Sequence, residues 1–252
     1  MLRLKVNFQL FRFRYFGPYT FSIYSLFVVG VIYSDSIGKS HEAWIRPKGE
    51  VILSAGAISS PQLLLLSGVG PQQYLSSLNI SIIHPQPFVG QFMNDVPRND
   101  INFVPPFPSE GFALQLVWIT RNGYSELISS NIPFLSVLTL MGKLSRTLSI
   151  SSLKLASRTN MRINPVVRFN YFANLVDLAN CVKVMRNVGM MLKTRSMEQY
   201  KFQDWNGTKY FKFVGQSLPE DLSNDASIKT LCQKTLVTIW HYHGGCLVGE
   251  SS

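Results

Sequence analysis

The chain has 252 residues, enough for one large domain or two modest ones around a real core. Hydrophobic residues make up 46% and charged residues 15%, which excludes a disordered chain. The net charge is +10, but the 24 Lys and Arg are scattered from Arg3 to Lys234 without a recognisable binding motif, so they read as solvated surface rather than as a nucleic-acid footprint. Cys181, Cys232 and Cys246 are too few for a disulfide framework and leave room for one bridge. Asn79-Ile80-Ser81 and Asn206-Gly207-Thr208 are N-glycosylation sequons, compatible with a secreted protein.

The first fourteen residues carry Arg3, Lys5, Arg12 and Arg14, and Tyr15 to Tyr33 then runs without a formal charge. Read literally, this is a signal-anchor pattern, which would tie the protein to a membrane through residues 1–33. Gly17, Pro18, Thr20, Ser22 and Ser25 dilute it. The preferred reading is a soluble strand over Phe27–Ser34, a hairpin turn over Asp35–Lys39 and a return strand over Glu42–Arg46.

Glu50 to Pro71, EVILSAGAISSPQLLLLSGVGP, is the most informative stretch. Val51, Ile52 and Leu53 form the short apolar run of a parallel strand covered on both faces. Ser54, Ala55, Gly56 and Ala57 are small enough to let a ligand or a second backbone come close. Ser60 sits where an N-cap belongs and Pro61 where a first helical residue belongs, which predicts a buried helix over 62–67. Gly68 supplies a left-handed stop, and Pro71 can start another short helix. A strand feeding a helix in this way points the helix's N-terminal amides at a gap where open α/β sheets bind ligands.

Ile80–Ile83 reads as a short strand, and His84-Pro85-Gln86-Pro87 as an extended loop. Three prolines break up Ile101–Thr120, giving irregular strands of a second domain. The section between Thr120 and Lys143 looks shortened. Leu144–Arg168 reads as antiparallel strands joined by polar turns, with one turn at Asn164-Pro165. Val176–Met191 is the clearest amphipathic helix, with Leu178, Val182, Met185, Val188 and Met191 on one face.

Near the end stands TLVTIWHYHGGCLVG, Thr235 to Gly249. In a strand, His241 and His243 would share one face with Cys246 close by, but no further ligand pair has zinc-like spacing. No metal is expected.

Three stretches carry a resemblance. SAGAISSPQLLLLSGVGP closely resembles the second signature of the glucose–methanol–choline (GMC) family of FAD-dependent oxidoreductases. WHYHGGCLVG resembles the segment that delivers that family's catalytic histidine, most of all in the plant branch of HOTHEAD-like proteins and mandelonitrile lyases. PFVGQFMNDVP, from Pro87 to Pro97, resembles the family's loop beside the flavin. Val96 there replaces the His or Asn that other members carry, so one polar contact is lost.

The resemblance implies an α/β plus α+β protein: an incomplete, Rossmann-like FAD-binding domain with an antiparallel-sheet substrate domain. The implied division is an unmatched segment 1–27, FAD-binding residues 28–97, a substrate domain 98–215, and a return to the FAD-binding domain over 216–252. His241 falls on the catalytic position, as base on an alcohol hydroxyl while hydride leaves the carbon for the flavin. His243 would support it. Imidazole suits that task, since as a class it titrates near neutrality. Ser54, Ala55, Gly56, Ala57, Gly90, Asn94, Asp95, Trp240 and Tyr242 are the implied cofactor-binding residues.

The family's strand–GxGxxG–helix, which cradles the FAD pyrophosphate, does not occur in these residues. The matching region runs roughly from 28 to 249, which implies a partial protein lacking both ends of the family's chain. Two other readings follow: a hydroxynitrile lyase acting on a cyanohydrin, and a catalytically inactive fragment or membrane-associated interaction protein. The implied compartment is extracellular.

Overall fold

The computed structural model describes residues 7–15, 26–35, 37–108, 114–119, 123–132 and 135–247. Among them the order begins β1 (Asn7–Tyr15), β2 (Leu26–Ser34), β3 (Ser40–Trp44), α1 (Gly56–Leu66), β4 (Val69–Gly70), α2 (Gln72–Ser77) and β5 (His84–Pro85). Four longer strands follow, β6 (Pro97–Val104), β7 (Leu114–Ile119), β8 (Gly123–Ile132) and β9 (Leu135–Leu144). Then come β10 (Leu153–Lys154), β11 (Val166–Val167) and α3 (Leu175–Leu192), with a 3-10 turn at Arg195–Tyr200. The order closes with β12 (Phe202–Gln203), β13 (Lys209–Tyr210), β14 (Lys212–Val214), α4 (Asp225–Lys234) and β15 (Leu236–Thr238). The chain divides into two compact units: residues 1–94, 151–169 and 242–252 form one, and residues 95–150 and 170–241 the other.

In the first unit, β1, β2 and β3 form an antiparallel meander. The predicted hairpin is present. Asp35 closes its turn by accepting the Ile37 and Lys39 amides at 3.1 and 2.9 Å, and its other oxygen meets His41 at 2.8 Å. The His41 hydrogen bond holds the Asp35 carboxyl below the usual carboxylate range, helped by those amides. Of the uncharged stretch read as a membrane candidate, residues 16–25 lie outside the described residues and 26–33 belong to β2. No helix among the described residues is long and apolar enough to cross a membrane.

The unit's core is Leu65, Leu75, Val89, Met93 and Leu153. Gln62 is buried in α1 and is satisfied by two carbonyls, Met161 at 3.2 Å and Ile163 at 2.9 Å. Gly68 does end the helix, at φ +82°, where a Cβ would come within 2.3 Å of the Ser81 carbonyl oxygen. The short strand expected at Ile80–Ile83 lies later, at His84–Pro85, paired parallel with Val69–Gly70. The Gly68 carbonyl sets that register by accepting the Ile83 and His84 amides.

The second unit is built on a six-stranded sheet, β14-β6-β9-β8-β7, with β15 pairing β6 as well. The section that looked shortened in the sequence holds β8 and β9, an antiparallel hairpin paired from Gly123↔Leu144 to Ile132↔Leu135. Strict alternation puts Ile101 and Phe103 of β6 and Leu138 and Leu140 of β9 on one face. The predicted helix, α3, covers that face with Leu178, Val182, Met185 and Val188. Each such side chain contributes about 1.5–3 kcal/mol on burial. Gly142 lets the helix approach, because a Cβ there would sit 2.9 Å from Met185 Sδ and Val184. Asn174 caps α3 through the Val176 amide at 3.0 Å. In its first turn, buried Asp177 accepts the Leu148 and Ser149 amides and the Ser149 hydroxyl.

Cys181 of α3 and Cys232 of α4 form the one disulfide among the described residues. Asn99 of β6 braces it, donating to the Cys232 carbonyl at 2.7 Å and to Thr235 Oγ1 at 2.9 Å. Replacing both cysteines by alanine is expected to lower the unfolding free energy by about 2–4 kcal/mol in urea titrations. An unchanged midpoint would show that packing alone holds α4 to α3.

Candidate active site

In the first unit, the chain enters α1 differently from the sequence expectation. Val51–Leu53 is extended but pairs with no strand, and Ile52 is 85% exposed. A parallel strand needs neighbours on its edges, and the described residues supply none here. The helix also begins earlier, at Gly56, with Ser60 and Pro61 inside it. Ser60 turns its hydroxyl back onto the Ala55 amide at 3.1 Å, bracing the first turn from within. Pro61 has no N–H for the Ala57 carbonyl four residues before it.

Ser54, Ala55 and Gly56 are exposed and Ala57 is half-buried. No side chain caps the first turn of α1, and no acidic residue stands in it. A Cβ on Gly56, at φ +86°, would meet nothing within 4 Å. An uncapped helix start facing open space is a ready anion or dipole acceptor. An apolar hollow of about 220 Å³ lies alongside, lined by Val31, Val51–Ala55 and Leu63.

Against this turn runs the segment after His241. Gly90 donates to the Gly245 carbonyl at 2.7 Å, and Gly245 donates to the Gln91 carbonyl at 3.1 Å. Asn94 and His243 exchange both main-chain bonds, at 2.9 and 3.0 Å. The two glycines permit this approach. A Cβ on Gly244 would lie 2.0 Å from the Phe92 oxygen, and one on Gly245 would lie 2.6 Å from Met93 Sδ and 3.1 Å from the Ala57 oxygen. Both have positive φ, +85° and +80°. Tyr242 stacks on Phe169 with the rings 4° from parallel and centroids 5.0 Å apart.

The second unit holds the remaining candidate residues. Asp95, expected beside a cofactor, is 2% exposed and accepts the Tyr171 hydroxyl at 2.5 Å and the Thr238 hydroxyl at 2.6 Å on Oδ2. Its main-chain oxygen takes the Thr147 hydroxyl at 3.1 Å. Sequence reasoning missed Tyr171, Thr147 and Thr238, since no periodicity or spacing connects residues up to 143 positions apart. Trp240 is 73% exposed with φ +60°, and His241 is exposed. The strand ends at Thr238, so His241 and His243 are not two positions on one strand face. No group of three metal-capable side chains occurs among the described residues. Cys246 is exposed and unbridged, and partial burial of its sulfur pushes the thiol's pKa up.

Residues 26–97 and 148–252 match the N-terminal and C-terminal sequence models of the GMC oxidoreductases. The chain belongs to the GMC oxidoreductase family. It is 47% identical to an (R)-mandelonitrile lyase-like protein of Arabidopsis thaliana over 88% of this chain and 43% of that protein. Sinalpyl alcohol oxidase Nec3 of Nesocodon mauritianus is 45% identical over 88% of this chain and 43% of its own length. Among solved structures, pyridoxine 4-oxidase from Mesorbium loti superposes on 98% of this chain and 47% of its own, with a TM-score of 0.76 at 15% identity. Aspergillus oryzae formate oxidase gives 0.71 over 86% of this chain and 48% of its own, at 18% identity. These two likenesses concern the fold. The chain spans less than half the length of each of these relatives.

Gly244→Ala is expected to cost about 3 kcal/mol, combining left-handed strain with a main-chain collision. Gly38→Ala, at φ +88° with nothing within 4 Å, pays only the strain and should cost about 1 kcal/mol. Paired urea melts would check this, and equal losses would show that the Gly244 approach is not tight.

Proposed function

We propose that this chain is the histidine-bearing portion of a GMC-type FAD-dependent oxidoreductase acting on the CH–OH group of an alcohol. The observation that supports this most is the main-chain stitching of His243–Gly245 to Gly90–Asn94 beside the open first turn of α1. That stitching begins two residues after His241.

The residues present fit one end of a flavin. Ser54–Ala57 offer small side chains and open space at a helix start without a capping side chain, and Gly90 and Asn94 carry the adjoining loop. Bound FAD would supply hydride acceptance. His241 takes the proton from the substrate hydroxyl at its imidazole, and the rigid Gly-Gly turn fixes where the following chain runs. His243, Trp240 and Tyr242 would shape the surroundings. The dinucleotide's phosphates need a cradle that G-x-G-x-x-G would provide, and these residues have none. The disulfide suits an oxidising, extracellular setting.

A second reading has its own support. Five relatives at 42–44% identity are named (R)-mandelonitrile lyases, beside the alcohol oxidase at 45%. In a lyase the same imidazole would take the proton of a cyanohydrin hydroxyl.

The test is a visible spectrum of the purified chain after addition of FAD, alone and after co-expression with a strand–GxGxxG–helix polypeptide from a family member. We expect little retained flavin alone, stoichiometric flavin with the added unit, and bleaching by an aryl alcohol. His241→Ala should slow bleaching about 10²–10⁴-fold. Cyanide release from mandelonitrile without bleaching would move the assignment to a lyase, and flavin retained in neither preparation would overturn the proposal.

A further inference from the structure

The end of β15 carries a side-chain contact besides its ladder pairing. β15 pairs with β6 at Leu236↔Asn99, Val237↔Arg98 and Thr238↔Pro97. Pro97 has no N–H to give to the last rung. Asp95, two residues before Pro97, reaches that point with its side chain and takes the Thr238 hydroxyl proton at 2.6 Å. Thr238 has a single proton to give, so its lone pairs are left to accept. They accept the Trp240 amide at 3.2 Å. The carboxylate therefore sets the direction of the hydroxyl, and the hydroxyl sets the main chain two residues on.

That main chain needs holding. Trp240 lies at φ +60°, a conformation rare for a bulky aromatic residue, and its indole is 73% exposed. Packing of the indole is thus a weak restraint. Tyr171 fixes Asp95 in turn, with its hydroxyl 2.5 Å from Oδ2. Asp95 Oδ1 is buried with no hydrogen-bond partner, so this carboxylate is not satisfied by the packing around it. A buried acid side chain aimed at two hydroxyls, one of them bonded to a residue in a rare backbone conformation, suits a part that holds something under strain.

We infer that Asp95 is a positioning residue, fixing the Trp240 main chain through Thr238 and with it the direction in which His241 is presented. The functional meaning rests on the reading of His241 as base, but the anchoring can be tested without flavin. The experiment is amide hydrogen exchange by NMR on the full chain carrying ¹⁵N-labelled Trp, Val and Met. Thr238→Val keeps the shape and removes the hydroxyl, Thr238→Ser restores it, and Asp95→Asn keeps the shape without the charge. We expect exchange at Trp240 to rise at least tenfold in Thr238→Val, to rise less in Asp95→Asn, and to return to the original rate in Thr238→Ser. The Val182 and Met185 amides of α3 should not change, which separates lost anchoring from general loosening. In the flavin-loaded preparation, Thr238→Val should lower kcat for alcohol oxidation with little change in KM.

An unchanged Trp240 rate in Thr238→Val overturns the inference, and this variant decides the matter even if Asp95→Asn does not fold. A rise at Trp240 matched by equal rises in α3 overturns it as well. Loss of alcohol oxidation in His241→Ala is the separate test of the base, so a failed base assignment and a failed anchor give different results.

Discussion

The candidate site depends on two glycines that let one stretch of backbone lie directly on another. Gly244 and Gly245 run against Phe92, Met93 and the first turn of α1 at distances that no Cβ would tolerate. The contact is made of main-chain hydrogen bonds, four of them between Gly90–Asn94 and His243–Gly245. Backbone bonded to backbone loses no rotamer freedom, so the geometry is fixed more tightly than side chains could fix it. Among the described residues, a Cβ added at Gly56 at the start of α1 would meet nothing within 4 Å. The main chain of His243 gains its position from this frame.

The second unit answers a different demand, which is to hold a sheet rigid while its last strand leaves it. Packing of α3 on β6 and β9 supplies most of the stability, and Gly142 sets how near the helix comes. Asp177 and Asn99 then tie loops and α4 to that layer through buried hydrogen bonds. Buried polar groups of this kind add little net stability when paired but are costly when broken, so they select one arrangement. Asp95 belongs with them by burial, yet one of its oxygens lacks a partner. That difference is what separates a strut from a residue that works on its neighbours.

Much of this was legible in the sequence where a single local rule decides. The hairpin at Asp35–Lys39, the left-handed stop at Gly68, α2 after Pro71 and the apolar face of α3 each follow from short-range patterns. Val51–Leu53 was misread because apolar character was taken for pairing, and pairing needs a partner strand. The start of α1 was misplaced because Ser60 and Pro61 imitate a cap, whereas Ser60 bonds backwards inside the helix. The hairpin β8–β9 was missed because Ser, Glu and Asn interrupt its apolar residues and the pairing itself supplies the order. The Asp95–Thr238 contact had no signal at all, being a meeting of two short polar side chains far apart in the chain.

Magnitudes show what the site residues can and cannot supply to a cofactor. A helix start favours a nearby negative charge by about 0.3–1 kcal/mol when exposed, as the first turn of α1 is. Retaining a dinucleotide at nanomolar affinity takes about 12 kcal/mol. On the proposed reading, hydrogen bonds from Ser54–Ala57, Gly90 and Asn94 would add about 0.5–1.5 kcal/mol each, and the sum would still fall well short. On the proposed reading these residues orient the reacting end, and most of the binding energy would come from contacts to the phosphates and nucleoside. Such a division is physically sensible for an oxidoreductase, because binding energy gathered remotely can be spent on holding the reacting atoms in line. On the proposed reading, the Gly-Gly frame of the first unit and the anchored strand end of the second are what this chain would contribute to such a division.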